Sequence, residues 1–232
     1  MKVKRMDING IPAIVWGDES NRVFLYVHGK MCSKETAQTF AQIAEEKGYQ
    51  TISFDLPQHG ERKDCNERCD IWTGKKDLKK MEDYTFSKWN EVSLYACSLG
   101  AFFSLHTYAD CKFVQCLFQS PMIDMEYMIH QMMIWYDVTE ERLKEEKEIE
   151  TSFDTLRWDY FQYVLQHPIK EWKNPTCILF GGKDNFQTLD IMQRFSKENH
   201  CKLTISENSE HPFMQEQDKS IVESWLRENI KS

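Results

Sequence analysis

No uncharged apolar run in this 232-residue chain approaches the ~18 residues that a membrane-crossing helix needs, so a membrane partner is not expected. Glycine and proline are scarce, nine and six residues, which excludes collagen-like and low-complexity chains. No Lys/Arg-rich run occurs, and 37 acidic against 29 basic residues leave a net charge of −8. Phosphate backbones therefore find no electrostatic footing, and nucleic acid is not an expected partner. The first ten residues, MKVKRMDING, place charges where a signal peptide needs an apolar core, so a cytoplasmic location is expected. No internal repeat stands out. Eight cysteines are present but scattered, in a chain long enough to build its own core, and reduced thiols are the simpler expectation.

What is there is an alternation of short apolar runs with longer amphipathic ones. Residues 3–8 and 12–16 read as strands joined by the tight-turn dipeptide Asn9-Gly10. Residues 23–27 (VFLYV) form a third strand, 35–47 a helix closed by Gly48, and 51–54 a fourth strand. The rhythm returns with a strand at 92–97, a helix at 99–109 and a strand at 113–118. It resumes with a strand at 176–180, a helix at 189–196, a strand at 202–205 and a last helix over 212–229. Parallel strands need crossover connections, so this order predicts an α/β fold: a mostly parallel sheet with helices on both faces and an antiparallel hairpin at one edge. Residues 121–172 break the rhythm. They carry helical periodicities without a convincing strand and read as a helical insertion in a core made of 1–120 and 173–232.

The segment that carries chemistry is Leu94-Tyr95-Ala96-Cys97-Ser98-Leu99-Gly100, a strand running straight into a helix with serine at the junction. Such a turn strains the serine backbone, lifts its hydroxyl above the sheet and aims the helix amino terminus at it. Small residues are needed on either side, and Ala96 and Gly100 supply them. A-x-S-x-G alone equally describes a helix N-cap serine. Nucleophilic work further requires an imidazole base and a carboxylate, both beyond the carboxyl ends of strands, where open parallel sheets place their sites. Asp184 follows the 176–180 strand through Gly181-Gly182-Lys183, and His211 follows the 202–205 strand through a short polar loop. Both meet the requirement.

Other histidines do not. His200 precedes its strand, and His106 lies eight residues into the helix after Ser98, about 12 Å down its axis. His130 and His167 fall in the insertion, as packing or surface residues. His28 and His59, each followed by glycine, read as shaping tight turns beside the site. An oxyanion would need backbone donors, for which Leu99 and Lys30 are the candidates.

Taken together, V-H-G-K at 27–30, D-L-P-Q-H-G at 55–60, A-C-S-L-G at 96–100, G-G-K-D at 181–184 and E-H-P at 210–212 resemble a small bacterial member of the α/β-hydrolase family, over nearly the whole chain. The resemblance implies an eight-stranded, mostly parallel sheet, a small helical cap formed by 121–172, and no cofactor. It also implies that Ser98, Asp184 and His211 serve as nucleophile, acid and base. Ala96 replaces the family's usual first glycine.

In the insertion Met122, Met125, Ile129, Met132 and Trp135 or Tyr136 recur at helical spacing, either as core packing or as an adaptable apolar pocket. With Met31 these methionines are the candidate substrate-binding residues. From 140 to 150 nine of eleven residues are charged, read as a solvated helix with Glu140–Lys144 and Arg142–Glu146 pairs. Cys65 and Cys69 lack the second matched pair of a structural zinc site, and no metal is expected. Cys97 points into the core by strand alternation. The expected activity is hydrolysis of a carboxylic ester of modest, apolar character. Amide, thioester or carbon–carbon bond hydrolysis would use the same residues; ligand binding in the capped pocket without turnover is the alternative of a different class, against which the intact Ser98, Asp184 and His211 set speaks.

Overall fold

The structure, a computed structural model, describes residues 1–169 and 171–231. Strands β1 (Val3–Ile8) and β2 (Ile11–Trp16) form the opening hairpin. Asn9 and Gly10 both take positive φ there, 53° and 84°, the conformation that two-residue hairpin turns demand. Then come β3 (Arg22–Val27), a 3-10 turn (Lys34–Ala37), α1 (Gln38–Glu46), β4 (Gln50–Phe54), α2 (Ile71–Lys88), β5 (Glu91–Cys97), α3 (Leu99–Thr107) and β6 (Cys116–Gln119). The chain next leaves the sheet for α4 (Met125–Trp135), α5 (Glu140–Glu146), the two short strands β7 (Glu148–Glu150) and β8 (Thr155–Arg157), and α6 (Trp158–Gln166). It returns through β9 (Thr176–Gly181), α7 (Leu189–Glu198), β10 (Lys202–Ser206) and α8 (Asp218–Asn229).

Eight strands make one sheet in the order β1-β2-β4-β3-β5-β6-β9-β10. The β1–β2 and β2–β4 pairs are antiparallel and the remaining five are parallel. Alternation along β3 builds a core on each face. Val23, Leu25 and Val27 join the cluster under α2, α3 and α7, whereas Phe24 and Tyr26 join the cluster under α1 and α8. In-register pairing, with Val27 opposite Ala96 and Cys97 opposite Gln119, brings the carboxyl ends of the parallel strands to one rim. The loops that leave this rim carry Lys30, His59, Ser98, Asp184 and His211.

All eight sheet strands expected from the sequence are present. Three local readings need correction. The 140–150 run is not one helix: Lys147 takes φ +71° and ends α5, and residues 148–150 pair with 155–157 as an antiparallel ribbon, so the insertion does contain strands. Arg142–Glu146 forms at 2.7 Å, while the Lys144 ammonium lies 5.8 Å from the ring centre of Trp158. The last helix starts at Asp218 rather than 212, because the buried Asp218 carboxylate accepts from Ser209 Oγ and the Gln215 N–H and so closes a loop before the helix. The eighteen-residue α2 was not expected. Two of its buried face positions are Gly74, against the Phe103 ring, and Thr85, which hide its apolar period. None of the described helices is long and apolar enough to cross a membrane.

Candidate active site

Ser98 stands between β5 and α3 with φ +49° and ψ −119°, a conformation that costs a non-glycine residue roughly 1–3 kcal/mol and persists only when its surroundings enforce it. They do. Ser98 N–H donates to Gln119 O, and Ser98 O accepts from the N–H groups of Ala101 and Met122. Glycine is obligatory two residues later, because a Cβ on Gly100 would lie 2.4 Å from His28 O and 2.7 Å from Val27 O. Ala96 is fully buried and paired with Val27 and Phe118. Cys97 points to the opposite face, where burial pushes its thiol well above the usual range.

Ser98 Oγ lies 2.7 Å from His211 Nε2, and His211 Nδ1 lies 2.7 Å from Asp184 Oδ2. Both partners of the second pair are almost wholly enclosed. With Nδ1 donating to the carboxylate, Nε2 is left as the acceptor for the serine hydroxyl. Asp184 is immobilised on its other oxygen, Oδ1, which accepts the N–H groups of Phe186 and Gln187 at 2.8 and 3.1 Å. Gln187, also buried, reaches across the rim to accept from the N–H groups of Ile123 and Asp124. The His211 loop is pinned by Gln119 Nε2, which donates to Pro212 O and whose Oε1 accepts from Tyr95. A hydroxyl aligned on a neutral imidazole backed by a fixed carboxylate can attack an electrophilic carbon as its proton leaves.

Leu99 N–H is the first of α3 and has no intrahelical acceptor, and Lys30 N–H likewise meets no acceptor among the described residues. Both residues line, with Ser98, a cavity of ≈100 Å3. Its remaining wall comes largely from the 121–172 segment, including Met122, Met125, Met128 and Met132, so three of the four methionines singled out in the sequence face it. Met31 does not. It is 88% exposed, turned outward by a left-handed backbone with φ +62°.

Several lining residues escaped the sequence reading. Phe186 packs its ring 4.5 Å from that of His211 and joins Phe153 and Trp135 in an aromatic cluster. Phe153 belongs to the turn of the β7–β8 ribbon, whose polar–apolar–polar triplets, Glu-Ile-Glu and Thr-Leu-Arg, are its only sequence signal. The Lys30 ammonium pairs with Asp154 in the same turn and lies 5.3 Å from the Phe153 ring centre.

The remaining histidines sit away from Ser98 or beside it in other roles. His200 is exposed, His167 stacks on Tyr163, and His130 meets Phe161 edge-on. His28 is buried: its Nδ1 donates to Gly29 O, and its Nε2 accepts the Leu56 N–H. Burial lowers its pKa from the ordinary 6.5 to about 4. Above pH 6.5 both folded and unfolded chains hold this ring neutral. Between 6.5 and 4 only the unfolded chain takes up the proton, so stability falls with pH across that window, by roughly 3 kcal/mol from His28 alone. Urea unfolding at pH 7 and pH 5 should show about 2 kcal/mol of it, and His28→Gln should reduce that loss; an unchanged loss would contradict the assignment. His106, also lowered to about 4 by burial, adds a loss of the same sign.

Cys65 bonds to Glu67 O and Cys69 lines the cavity, and the described residues hold no cluster of three or more His, Cys, Asp or Glu arranged for a metal.

This eight-stranded sheet order, with a strand–turn–helix serine after β5 and a carboxylate and an imidazole on the rim loops after β9 and β10, defines the α/β-hydrolase fold, and the chain has that fold. Est1E from Butyrivibrio proteoclasticus, solved with ferulic acid bound, superposes with a TM-score of 0.77 at 16% identity, over 97% of this chain and 96% of that one. Mouse alpha/beta hydrolase domain-containing protein 10 gives 0.78 at 13% identity over 99% and 98%. A putative hydrolase from Agrobacterium vitis gives 0.77 at 14% identity over 99% of each chain. No protein-family model and no curated protein matches the sequence.

Proposed function

We propose that the protein is a serine hydrolase that cleaves a carboxylic ester of a small apolar or aryl substrate through an acyl-enzyme, with residues 121–172 acting as its cap. The observation that carries this reading is the hydrogen-bond chain from Ser98 through His211 to Asp184, set beside two N–H groups with no other acceptor among the described residues. Ser98 Oγ attacks the ester carbonyl while His211 Nε2 takes its proton, and Asp184 stabilises the imidazolium. The carbonyl oxygen, now negative, accepts from Leu99 and Lys30 N–H at the positive end of α3. The imidazolium gives its proton to the departing alkoxide, and the same base then activates water to release the acid.

The methionine and phenylalanine lining supports an apolar acyl or aryl group, since thioether side chains adapt their shape to it. Ferulic acid, the aromatic acid bound by Est1E, is of that class. A fluorophosphonate probe tests the reading. The parent protein should be labelled at Ser98 and Ser98→Ala left unlabelled; equal labelling of both, or of neither, would overturn it.

A further inference from the structure

The loop after β3 and the loop after β4 exchange hydrogen bonds through two imidazoles. His28, at the start of the first loop, accepts the Leu56 N–H of the second on its Nε2 at 3.1 Å. His59, in the second, accepts the Met31 N–H of the first on its Nε2 at 3.0 Å. Both rings are committed to one tautomer, because Nδ1 of each donates to a carbonyl, Gly29 O and Pro57 O, at 2.7 and 2.8 Å. The ring centres are 5.2 Å apart. Met31 occupies the third position of a turn closed by Cys32 N–H on Gly29 O, with a positive φ that a methionine does not adopt freely. Its N–H belongs to the peptide unit immediately after Lys30, whose own N–H meets no acceptor among the described residues. Holding the Met31 N–H therefore fixes the peptide that follows the proposed oxyanion donor.

We infer that His59 is a positioning residue for the oxyanion: its neutral Nε2 holds the strained Lys30-Met31 peptide so that Lys30 N–H faces the Ser98 site. The inference rests on the hydrolase reading above. A ring that must accept at Nε2 cannot carry a second proton there, since an N–H would then face an N–H. Burial already lowers the His59 pKa, while Lys30 opposes its charge and Asp55 and Asp154 favour it. His28 faces it from the other loop.

Removing the acceptor should act on the transition state rather than on substrate binding. His59→Leu is expected to lower kcat about 10–100-fold, a part of the 10²–10³ attributable to a whole oxyanion donor, with KM within about twofold of the parent. Binding of a trifluoromethyl ketone, whose adduct with Ser98 carries an oxyanion, should weaken by the same factor. His59→Gln, whose Oε1 takes the place of Nε2, should recover most of both losses. Rates are referred to the fraction of protein that reacts with a fluorophosphonate, so a folding defect does not count as a catalytic one. The inference is overturned if kcat per labelled molecule is unchanged in His59→Leu, if KM rises instead, or if Gln restores nothing. Should the leucine variant not fold, the acid limb decides. Below the His59 pKa the parent limb should steepen from one proton to two, while His59→Gln keeps a one-proton slope; identical limbs overturn the inference. A parent that neither labels nor turns over esters refutes the hydrolase reading itself.

Discussion

His211→Ala is expected to lower kcat/KM for an activated ester by about 10⁴–10⁶-fold while leaving the folded structure in place. The size follows from what the imidazole does alone. Ser98 Oγ has one aligned proton acceptor, His211 Nε2 at 2.7 Å, and a serine hydroxyl without such a base is a poor nucleophile at neutral pH. Groups that act as one relay also fail together, so Ser98→Ala/His211→Ala should be scarcely worse than either single variant. The residual rate reports the backbone donors of Leu99 and Lys30, which neither substitution touches. Steady-state kinetics on purified variants check this, with circular dichroism to confirm folding. A loss below tenfold would mean that the relay is not the source of the activity.

Asp55→Ala carries the largest expected effect on stability. Asp55 is completely buried, and its carboxylate does four things at once. It accepts from Lys34 N–H at 2.8 Å, from Lys34 Nζ at 2.6 Å and from Glu61 N–H at 3.0 Å, and with Glu61 and Glu35 it neutralises Lys34, whose side chain is only 1% exposed. Burial alone disfavours the Lys34 charge, but hydrogen bonds to Asp55, Glu61 and Glu35 reverse this and raise its pKa. Alanine would leave two backbone N–H groups without that carboxylate and the Lys34 ammonium with only the more exposed Glu61 and Glu35, a defect worth about 3 kcal/mol. For a chain of this size the melting temperature should fall by roughly 10 °C. Adding Lys34→Met should return much of the loss, because an apolar pair of similar volume avoids the desolvation that an ion pair incurs. Thermal melts of the two single variants and the double variant test the coupling; strict additivity would show that the pair does not interact.

Much of the fold was legible because its strands are short apolar runs bounded by turns and its helices carry one apolar face. The site residues were legible for a related reason. Ser98 follows a recognisable strand directly and Asp184 and His211 follow theirs through short loops, so naming the strands nearly named the rim. Residues that act through shape were not. Gly74 and Thr85 conceal the buried face of α2, and the three-residue strands β7 and β8 are too short for their alternation to stand out from a charged run. Phe153 and Asp154 therefore had no context, although they lie against Lys30. Met31 misled because a methionine in a loop beside the site suggested a wall. Only the left-handed backbone, invisible in the sequence, turns it away.

The pairing of Lys30 with Asp154 joins the loop that presents a backbone donor to the ribbon that roofs the cavity. The two halves of this seam answer to the solvent in opposite ways. Dissolved ions weaken a partly exposed ion pair, the more so as the Debye length shrinks from about 10 Å at 0.1 M to about 3 Å at 1 M. Strongly hydrated salts such as sulfate tighten the methionine and aromatic contacts beneath. Ionic strength thus slackens the outer clasp while the greasy floor draws in, and the half-exposed and the buried contacts of one chamber follow separate thermodynamic rules.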